Sequence, residues 1–358
     1  MKRFFHAALW AVMAFCLCTG QALAAYKQEY KLSIVPNTTS GWGMTATYFA
    51  DLVREKTDGR INIKVYPGAQ LTSGKQNSEL MLVRRGAIDF ALASPINWSP
   101  QIKELNLTNL PFFVANNPDR HKAVDAIESG KSGEMLKAAI NKAGVVFIGW
   151  CEHGYRELTT SKGPITKPAD MAGMKIRVCG SPIFNDTFTA LGANPQAINW
   201  SETITGFQQG IVDGQENPTN GINVNLKLWT WHKYYTDWHY TFDPLFLTAN
   251  DKVWKSFSKE DQKIIEECAK ETEKYSKAIA RVGLDDGTAL KYLQSINKVP
   301  AVTDAYKMME EHGMTVIKFT PEMVADFYKA TQSVRDKWTG IIGEELVKAA
   351  EEDMKKAQ

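Results

Sequence analysis

The sequence predicts an α/β protein built from two lobes, and two observations support this fold class. Strand-like and helix-like segments alternate twice along the chain, once before Gly144 and once after it. The chain has 358 residues, and the roughly 330 left after removal of an N-terminal leader exceed what one hydrophobic core usually spans. Alternation of this kind favours largely parallel strands covered by helices.

The first alternation occupies residues 30–93. Apolar residues in Trp42–Lys56 recur at helical spacing, and Asp58 with Gly59 ends that segment. In a parallel sheet ligands bind beyond the carboxyl ends of the strands, so the loops Pro36–Gly43 and Ser94–Trp98 are candidate binding loops. The predicted elements are strands at Tyr30–Val35, Arg60–Tyr66 and Ala87–Ala93 and helices at Trp42–Lys56 and Ser78–Arg85.

The second alternation follows Gly144. Its predicted elements are strands at Val145–Trp150 and Lys175–Val178 and helices at Pro182–Leu191 and Ser201–Gly210. The aromatic segment Ile222–Tyr240 is too long for a surface loop, and we predict a helix that crosses between the lobes. The last predicted elements are a periodic helix from Ser258 to about Leu293, a helix after Pro321 and a helix from Gly343 to the C-terminus.

The N-terminus has the pattern of a cleaved secretory signal peptide, residues 1–24. Lys2 and Arg3 precede an apolar run that ends at Cys18, and small residues before Ala25 fit a cleavage site. The run is shorter than the roughly 20 residues of a membrane-spanning helix. We therefore predict an exported, soluble protein whose mature chain begins at Ala25 or Tyr26.

Charge and cysteine content exclude several classes of protein. The formal net charge is +2, with both signs mixed along the chain, so neither a nucleic-acid face nor a polybasic membrane tract is predicted. Cys151, Cys179 and Cys268 remain after cleavage, too few for a disulfide scaffold. A Cys151–Cys179 bridge is one alternative, and three isolated buried thiols are the favoured one.

No motif for catalysis, a cofactor or a metal is present. Gly41-x-Gly43-x-x-Ala46 resembles a dinucleotide fingerprint, but a polar loop precedes it and the next strand lacks the acid that would hold a ribose. His232 and His239 are seven residues apart, which is not zinc-ligand spacing. The sequence contains no G-x-S-x-G elbow or P-loop. We predict no catalytic residue, no cofactor and no metal site.

Two arginines and an asparagine recur at strand ends between residues 155 and 220. Arg156 opens this stretch, Arg177 lies in the strand-like KIRV, and Asn217 follows the turn-rich DGQE. A guanidinium fork matches a carboxylate or sulfonate bidentately and keeps its charge near neutrality. A lone arginine is usually a surface charge or part of a structural ion pair, but this combination favours capture of an organic anion.

Most of the tryptophans fit core or interface packing, but two are placed differently. Trp98 and Trp200 each lie in a loop just beyond a predicted strand. An aromatic wall in that position can remove water from a small ligand while its N–H finds a partner. We predict that both tryptophans line the binding cleft.

A series of motifs runs through the whole mature chain. In the first half these motifs are Pro67-Gly68-x-Gln70-Leu71, Gly86-Ala87-Ile88-Asp89 and Leu110-Pro111-Phe112-Phe113. In the second half they are Gly154-Tyr155-Arg156, Pro168-x-Asp170-Met171-x-Gly173-Met174-Lys175-Ile176-Arg177, Leu191-Gly192-Ala193-Asn194-Pro195 and Gln208-Gln209-Gly210-Ile211-Val212-Asp213-Gly214-Gln215-Glu216-Asn217-Pro218. In order and spacing they resemble the DctP-type solute-binding proteins of tripartite ATP-independent periplasmic (TRAP) transporters.

The resemblance implies a periplasmic-binding-protein-like fold with a hinge and a long lobe-spanning helix. Lobe I would comprise residues 26–152 with about 241–285, and lobe II residues 153–240 with about 286–358. Arg177 matches the family's main anchor for a ligand carboxylate, Arg156 a second ligand-contacting arginine, and Asn217 the asparagine after Gln-Glu. Looser matches to pocket-lining positions are Asn37, Ser94, Asn97, Trp98, Trp200 and Tyr240.

One position departs from the family pattern. Cys179 and Gly180 stand where the family more often has a proline or glycine directly after Arg-Val. This departure leaves the ligand open among a C4-dicarboxylate, a hydroxy acid, a sugar acid and an alkylsulfonate such as isethionate.

The resulting functional prediction is a periplasmic, monomeric receptor that captures a small organic anion by lobe closure. It would deliver the ligand to the small and large TRAP membrane subunits and bind no nucleic acid. Two alternatives from other classes are a sensor subunit that presents its ligand to a membrane receptor, and a secreted enzyme acting on a carboxylate.

Overall fold

A computed structural model describes residues 26–115 and 117–358. The predicted signal peptide, residues 1–24, lies outside the described residues. Within those residues, every helix is too short or too polar to cross a membrane. The three cysteines in this part of the chain, Cys151, Cys179 and Cys268, are free and buried, as the favoured alternative predicts.

The described strands form one mixed sheet in the order β2-β1-β3-β8-β4-β7-β5-β6, with β9 beside β8. Their bounds are β1 Tyr30–Ser33, β2 Ile63–Tyr66, β3 Phe90–Ala93, β4 Val145–Thr160, β5 Lys175–Val178, β6 Asn194–Ala197, β7 Gly214–Pro218, β8 Tyr234–Asn250 and β9 Thr315–Lys318. The two ends of this sheet are parallel, as predicted, but its middle is antiparallel.

Helices cover both ends of the sheet. Their bounds are α1 Gly41–Lys56, α2 Glu79–Arg84, α3 Pro95–Trp98, α4 Arg120–Ser129, α5 Lys131–Lys142, α6 Pro182–Ala190, α7 Trp200–Gln208, α8 Asp251–Ser256, α9 Lys259–Arg281, α10 Thr288–Ser295, α11 Ala305–Glu311, α12 Pro321–Ala330, α13 Gln332–Ile342 and α14 Glu344–Lys356. The fold is the predicted two-lobed α/β architecture.

Two long strands, β4 and β8, run antiparallel through both lobes and join them. Near one end of the pair Val145 faces Asn250, and there β3 pairs with β8. Near the other end Thr160 faces Tyr234, and there β7 pairs with β4. The shared strands place the junction of the lobes at the middle of β4 and β8, where the pairing register shifts. The predicted residue bounds of the lobes stay a prediction.

The long helix α9 packs along β4. Ser258 caps its first turn by accepting a hydrogen bond from the Asp261 N–H at 3.0 Å. The side chain of Asn220 donates to the carbonyl oxygens of Ala280 and Val282, at 3.0 and 2.8 Å, and so satisfies the helix end. α9 also packs against α1 and α10, so it joins the crossing strand β4 to two other helices.

Two predicted helices are wrong in extent or in type. The periodic helix ends at Arg281 instead of near Leu293, because a turn with Gly287 at φ +91° separates α9 from α10. The segment Ile222–Tyr240 is not a lobe-crossing helix: it contains a π-helical turn and a short 3-10 turn, and from Tyr234 it is part of β8. Its Thr, Tyr and Trp residues favour a pleated strand.

Candidate ligand-binding cleft

A small cavity lies where the two lobes face each other. Its lining comes from the ends of β3, β5 and β7, from the loop after β1 and from the crossing strands β4 and β8. Its volume is about 30 Å³, which holds about two water molecules. Because the ends of β3, β5 and β7 meet at this cavity, it occupies the position in which ligands bind in open α/β sheets.

The lobes contact each other across this cavity. The side-chain oxygen of Gln76 accepts a hydrogen bond from the Trp200 backbone N–H at 2.8 Å. The hydroxyls of Ser99 and Ser181 are 2.8 Å apart. Gln76 is itself held by Asn97, whose side-chain oxygen accepts from its amide at 2.8 Å. These bonds join residues of the first half of the chain to residues of the second half, so the cleft is closed.

Arg156, on β4, is 2% exposed and surrounded by acceptors. Its guanidinium donates to both carboxylate oxygens of Glu216 and, at 3.0 Å, to Asp243. A further bond of 3.1 Å reaches the side-chain oxygen of Asn217. Burial alone would lower the pKa of Arg156, but these carboxylates raise it well above its usual value. Most of its hydrogen-bonding capacity is used inside the protein.

Arg177, on β5, is 1% exposed and has different surroundings. Its Nε and Nη2 donate to the carbonyl oxygen of Ile198 at 3.1 and 2.9 Å. Nη1 meets only the sulfur of Cys179, at 3.5 Å. Within residues 26–115 and 117–358, no carboxylate lies within 4 Å of this guanidinium. A buried cation without an acid is costly, and the free Nη1 hydrogens suit an anion.

Asp243, on β8, links three side chains of the cleft. It accepts hydrogen bonds from Ser94 Oγ at 2.6 Å and from Arg156 Nη1 at 3.0 Å. His153 Nδ1 lies 2.9 Å from the same carboxylate. Burial alone would raise the pKa of Asp243, but these partners hold it below its usual value. Asp243 is thus an ionised acceptor that orients the Ser94, Arg156 and His153 side chains.

Six of the nine predicted ligand-binding residues line the cavity: Arg177, Arg156, Asn217, Trp200, Ser94 and Asn97. The Trp200 ring lies beside the Arg177 guanidinium, with 5.6 Å from its centroid to Cζ. Cys179, the departure from the family pattern, also lines the cavity. Contact of these residues with a ligand stays a prediction.

The other three predicted residues lie elsewhere. Trp98 is completely buried in the first lobe and donates through Nε1 to Glu79 at 3.1 Å. Tyr240 is buried behind Arg156, where its hydroxyl donates to Glu216 at 2.7 Å. Asn37 is exposed, and its side-chain oxygen accepts from the Ser40 backbone N–H at the start of α1. Their roles in this structure are packing, orientation and turn formation.

Three polar residues line the cavity without having been predicted from the sequence: Gln76, His153 and Asp243. The position of Gln76, in a 3-10 turn facing Trp200, carries no local signal. His153 and Asp243 are 90 residues apart and meet only because β4 and β8 pair. A polar residue inside an otherwise strand-like segment is the one local signal that each of them gives, and this signal does not show that the two side chains meet.

A second, larger cavity of about 500 Å³ lies beside a bulge in β8. Arg156 of β4 pairs with Thr241 and Leu158 pairs with Thr236, so residues 237–240 of β8 lie opposite the single residue Glu157. In this bulge His239 adopts a left-handed φ of +53°. One Glu157 oxygen accepts from the backbone N–H groups of Trp238 and His239, at 2.8 and 2.9 Å.

The His239 side chain lies between two carboxylates at this bulge. Its Nδ1 is 2.8 Å from Glu157 and 3.2 Å from Asp237, and the three donor atoms lie within 4.8 Å of one another. This is the one trio among the described residues with the spacing to hold a metal ion. A protonated His239 ring between the two carboxylates accounts for the same arrangement without a metal ion.

Three comparisons with known proteins agree with this geometry. The sequence matches the family described as "Bacterial extracellular solute-binding protein, family 7" over residues 32–340. A solute-binding protein of Roseobacter denitrificans is 32% identical over 288 residues, 78% of this chain and 84% of that protein. The 2,3-diketo-L-gulonate-binding periplasmic protein of Escherichia coli is 29% identical over 252 residues, 70% and 75% of the two chains.

A solved structure gives a stronger likeness. A TRAP periplasmic solute-binding protein of Ralstonia eutropha H16, crystallised with bound (S)-2-acetolactate, is 43% identical with a TM-score of 0.85. The match covers 92% of this chain and 100% of that one.

The two lobes, the crossing strands and the closed cleft define a solute-binding receptor of the periplasmic type. The chain belongs to solute-binding protein family 7, the DctP-type receptors of TRAP transporters.

Proposed function

We propose that this protein is the periplasmic receptor of a TRAP transporter and that it captures a small organic acid anion in the cleft. Arg177 pairs with the acid group, Asn97 and Asn217 bond other polar atoms, and Trp200 packs on the apolar part. The closed receptor then presents the anion to the membrane subunits for uptake.

The observation that carries this proposal is the unpaired state of Arg177. It is 1% exposed, yet its nearest acceptors are one carbonyl oxygen and one sulfur. In the same cavity Arg156 has two carboxylates. Burying a guanidinium is costly unless its charge is compensated. An anionic ligand would supply the compensation that the described residues do not give Arg177.

Lobe closure explains how a modest set of contacts can hold the ligand. The bond between Gln76 and Trp200 forms across the cleft, and water is excluded once the lobes meet. Charged hydrogen bonds are stronger in such a dry site. The ligand favours the closed form by its differential affinity for that form, and the membrane subunits would recognise the closed form.

The size of the cavity favours a compact anion. Space for about two water molecules in the closed cleft, 30 Å³, means that a sugar acid must displace lining side chains. The Ralstonia relative holds acetolactate, a five-carbon monocarboxylate. A short carboxylate is therefore the favoured ligand, with a small sulfonate as the alternative that the same guanidinium fork accepts.

The test is a thermal-shift screen with short carboxylates and sulfonates, followed by calorimetry on each hit. A ligand at a hundred times its Kd stabilises the protein by about 2.7 kcal/mol. Arg177→Ala is expected to weaken every hit at least 100-fold, since about 3 kcal/mol of charged hydrogen bonding is lost.

Lys175→Ala is the matched control, because Lys175 is an exposed cation two residues away on the same strand. It should leave affinity within twofold of wild type. Unchanged affinity in Arg177→Ala, for a ligand that binds wild type, would contradict the proposed anchor.

A further inference from the structure

His153 lies on β4 at the junction of the lobes, and it is 3% exposed. Its ring contacts Trp42 edge to face, with centroids 5.1 Å apart. It lines the same cavity as Arg177 and Asn217, and it also lines the larger cavity beside the bulge in β8. No sequence motif singles out His153, yet it lines the cleft together with Arg156 and Arg177.

The protonation state of His153 follows from its partner. Nδ1 is 2.9 Å from Asp243 Oδ2. Asp243 already accepts from Ser94 and Arg156, and a carboxylate paired with a guanidinium has no proton to donate. The Nδ1 atom of His153 therefore carries the hydrogen, and this fixes the tautomer of the neutral ring.

The other ring nitrogen, Nε2, then carries a lone pair that can accept a hydrogen bond. Burial is the main reason that the pKa of His153 is lowered, and this favours the neutral ring. Among the residues that the structure describes, Nε2 is buried and has no hydrogen-bond partner. An unpaired buried acceptor costs about 1–3 kcal/mol, which a donor on a bound ligand would recover.

We infer that His153 Nε2 accepts a hydrogen bond from a hydroxyl group of the ligand, so that the receptor selects hydroxy acids over the corresponding oxo and deoxy acids. This inference rests on the proposed function, because the acid group of the same ligand must be held by Arg177. An oxo group offers a second lone pair to Nε2, and a methyl or methylene group offers no donor. Both therefore leave the nitrogen unpaired.

The acids for the test differ in one group: 2-hydroxyisobutyrate against isobutyrate, and lactate against pyruvate. Wild type is expected to bind the hydroxy acid of each pair about 5- to 150-fold more tightly, the range that corresponds to the cost of one unsatisfied buried acceptor. Calorimetry measures all four affinities. Equal affinity within each pair in wild type would overturn the inference.

His153→Asn provides the matched variant. The asparagine amide can still donate to Asp243 from the position of Nδ1, but it places no acceptor at the position of Nε2. We expect the hydroxy acid to lose most of its advantage, ending within about threefold of its partner by the same estimate, while the deoxy acid binds as before. A retained preference in a folded His153→Asn protein overturns the inference.

A measurement on the unmutated protein keeps the test decisive if His153→Asn fails to fold. With ¹⁵N-labelled histidine, the Nε2 resonance of His153 should move upfield when 2-hydroxyisobutyrate binds and stay in place with isobutyrate. The same shift with both acids contradicts hydroxyl recognition. Arg177→Ala distinguishes a failure of the proposed function from a failure of the inference about His153. If Arg177→Ala abolishes binding of all four acids, the proposed function stands. If the His153→Asn protein nevertheless keeps the preference for hydroxy acids, the inference about His153 is wrong.

Discussion

Arg156 and Arg177 are both almost fully buried in the same cleft, but their surroundings are opposite. Arg156 has two carboxylates within hydrogen-bonding distance. Arg177 has a carbonyl oxygen and a sulfur. Burial alone does not distinguish a structural cation from a ligand-binding one. The count of acids around the cation does, because the protein supplies the counter-charge in one case and leaves it to the ligand in the other.

The largest expected effect is on folding, and it separates the two arginines. Arg156→Met should reduce the free energy of unfolding by about 3–5 kcal/mol, because Glu216 and Asp243 are left as buried, unpaired charges. Arg177→Met should cost at most about 1 kcal/mol, since only the bonds to one carbonyl are lost. Urea unfolding of both variants without ligand measures the difference. If both variants lost a similar free energy of unfolding, the number of carboxylates around each arginine would not predict which arginine is structural.

His239 extends the comparison to a paired cation that can titrate. Burial alone would lower its pKa, but Glu157 and Asp237 raise it to about 9. The unfolded value is about 6.5. A raised folded pKa gives stability that is complete below about pH 6.5 and is lost as the pH rises through 9.

The predicted loss between pH 6 and pH 10 is up to about 3 kcal/mol. Urea unfolding at pH 6, 8 and 10 measures it, and His239→Gln serves as the control because it removes this titration and keeps a polar side chain. The difference between wild type and His239→Gln should shrink towards high pH. A constant difference across this range would mean that His239 is not charged in the folded protein.

Arg177→Lys tests whether the anchor needs the guanidinium fork or only its charge. A lysine ammonium keeps the charge but cannot pair bidentately with an acid group. We expect about 2 kcal/mol weaker binding, which is roughly 30-fold in Kd, with little change in unfolding. Calorimetry with the best ligand from the screen measures the effect. Affinity equal to wild type would point to a point-charge anchor.

Sequence patterns predicted the local elements well and the long-range ones poorly. Strand β5, Lys175–Val178, has the predicted bounds, because a short apolar run with a following turn determines it locally. The length and aromatic content of the segment before Tyr240 predict a helix, because these local features contain no information about its strand partners. This segment joins β8, whose partners in β3 and β4 lie between 74 positions away, for Thr160 with Tyr234, and 159 positions away, for Phe90 with Ala249.

The same limit applies to the site. Arg177 and Trp200 could be predicted, since each stands at or beyond the end of a local strand. His153 and Asp243 could not, because each lies inside a long strand and becomes a site residue only through the other. Trp98 follows a strand as Trp200 does, yet its ring turns into the core. The position of a residue in the sequence determines which loop it belongs to, but packing determines whether its side chain points into the cleft or into the core.

The two tryptophans give the smallest and last test. Trp98→Phe should cost about 1–2 kcal/mol of stability and leave affinity unchanged, because it removes the hydrogen bond to buried Glu79, whose pKa burial raises to about 7. Trp200→Phe should leave stability within about 0.5 kcal/mol but weaken binding about threefold, since a phenyl ring holds the Arg177 cation less well than an indole. Thermal unfolding and calorimetry on both variants measure the two effects. If Trp98→Phe weakened binding as much as Trp200→Phe does, Trp98 would influence the cleft from the core, and the contrast between the two tryptophans would fail.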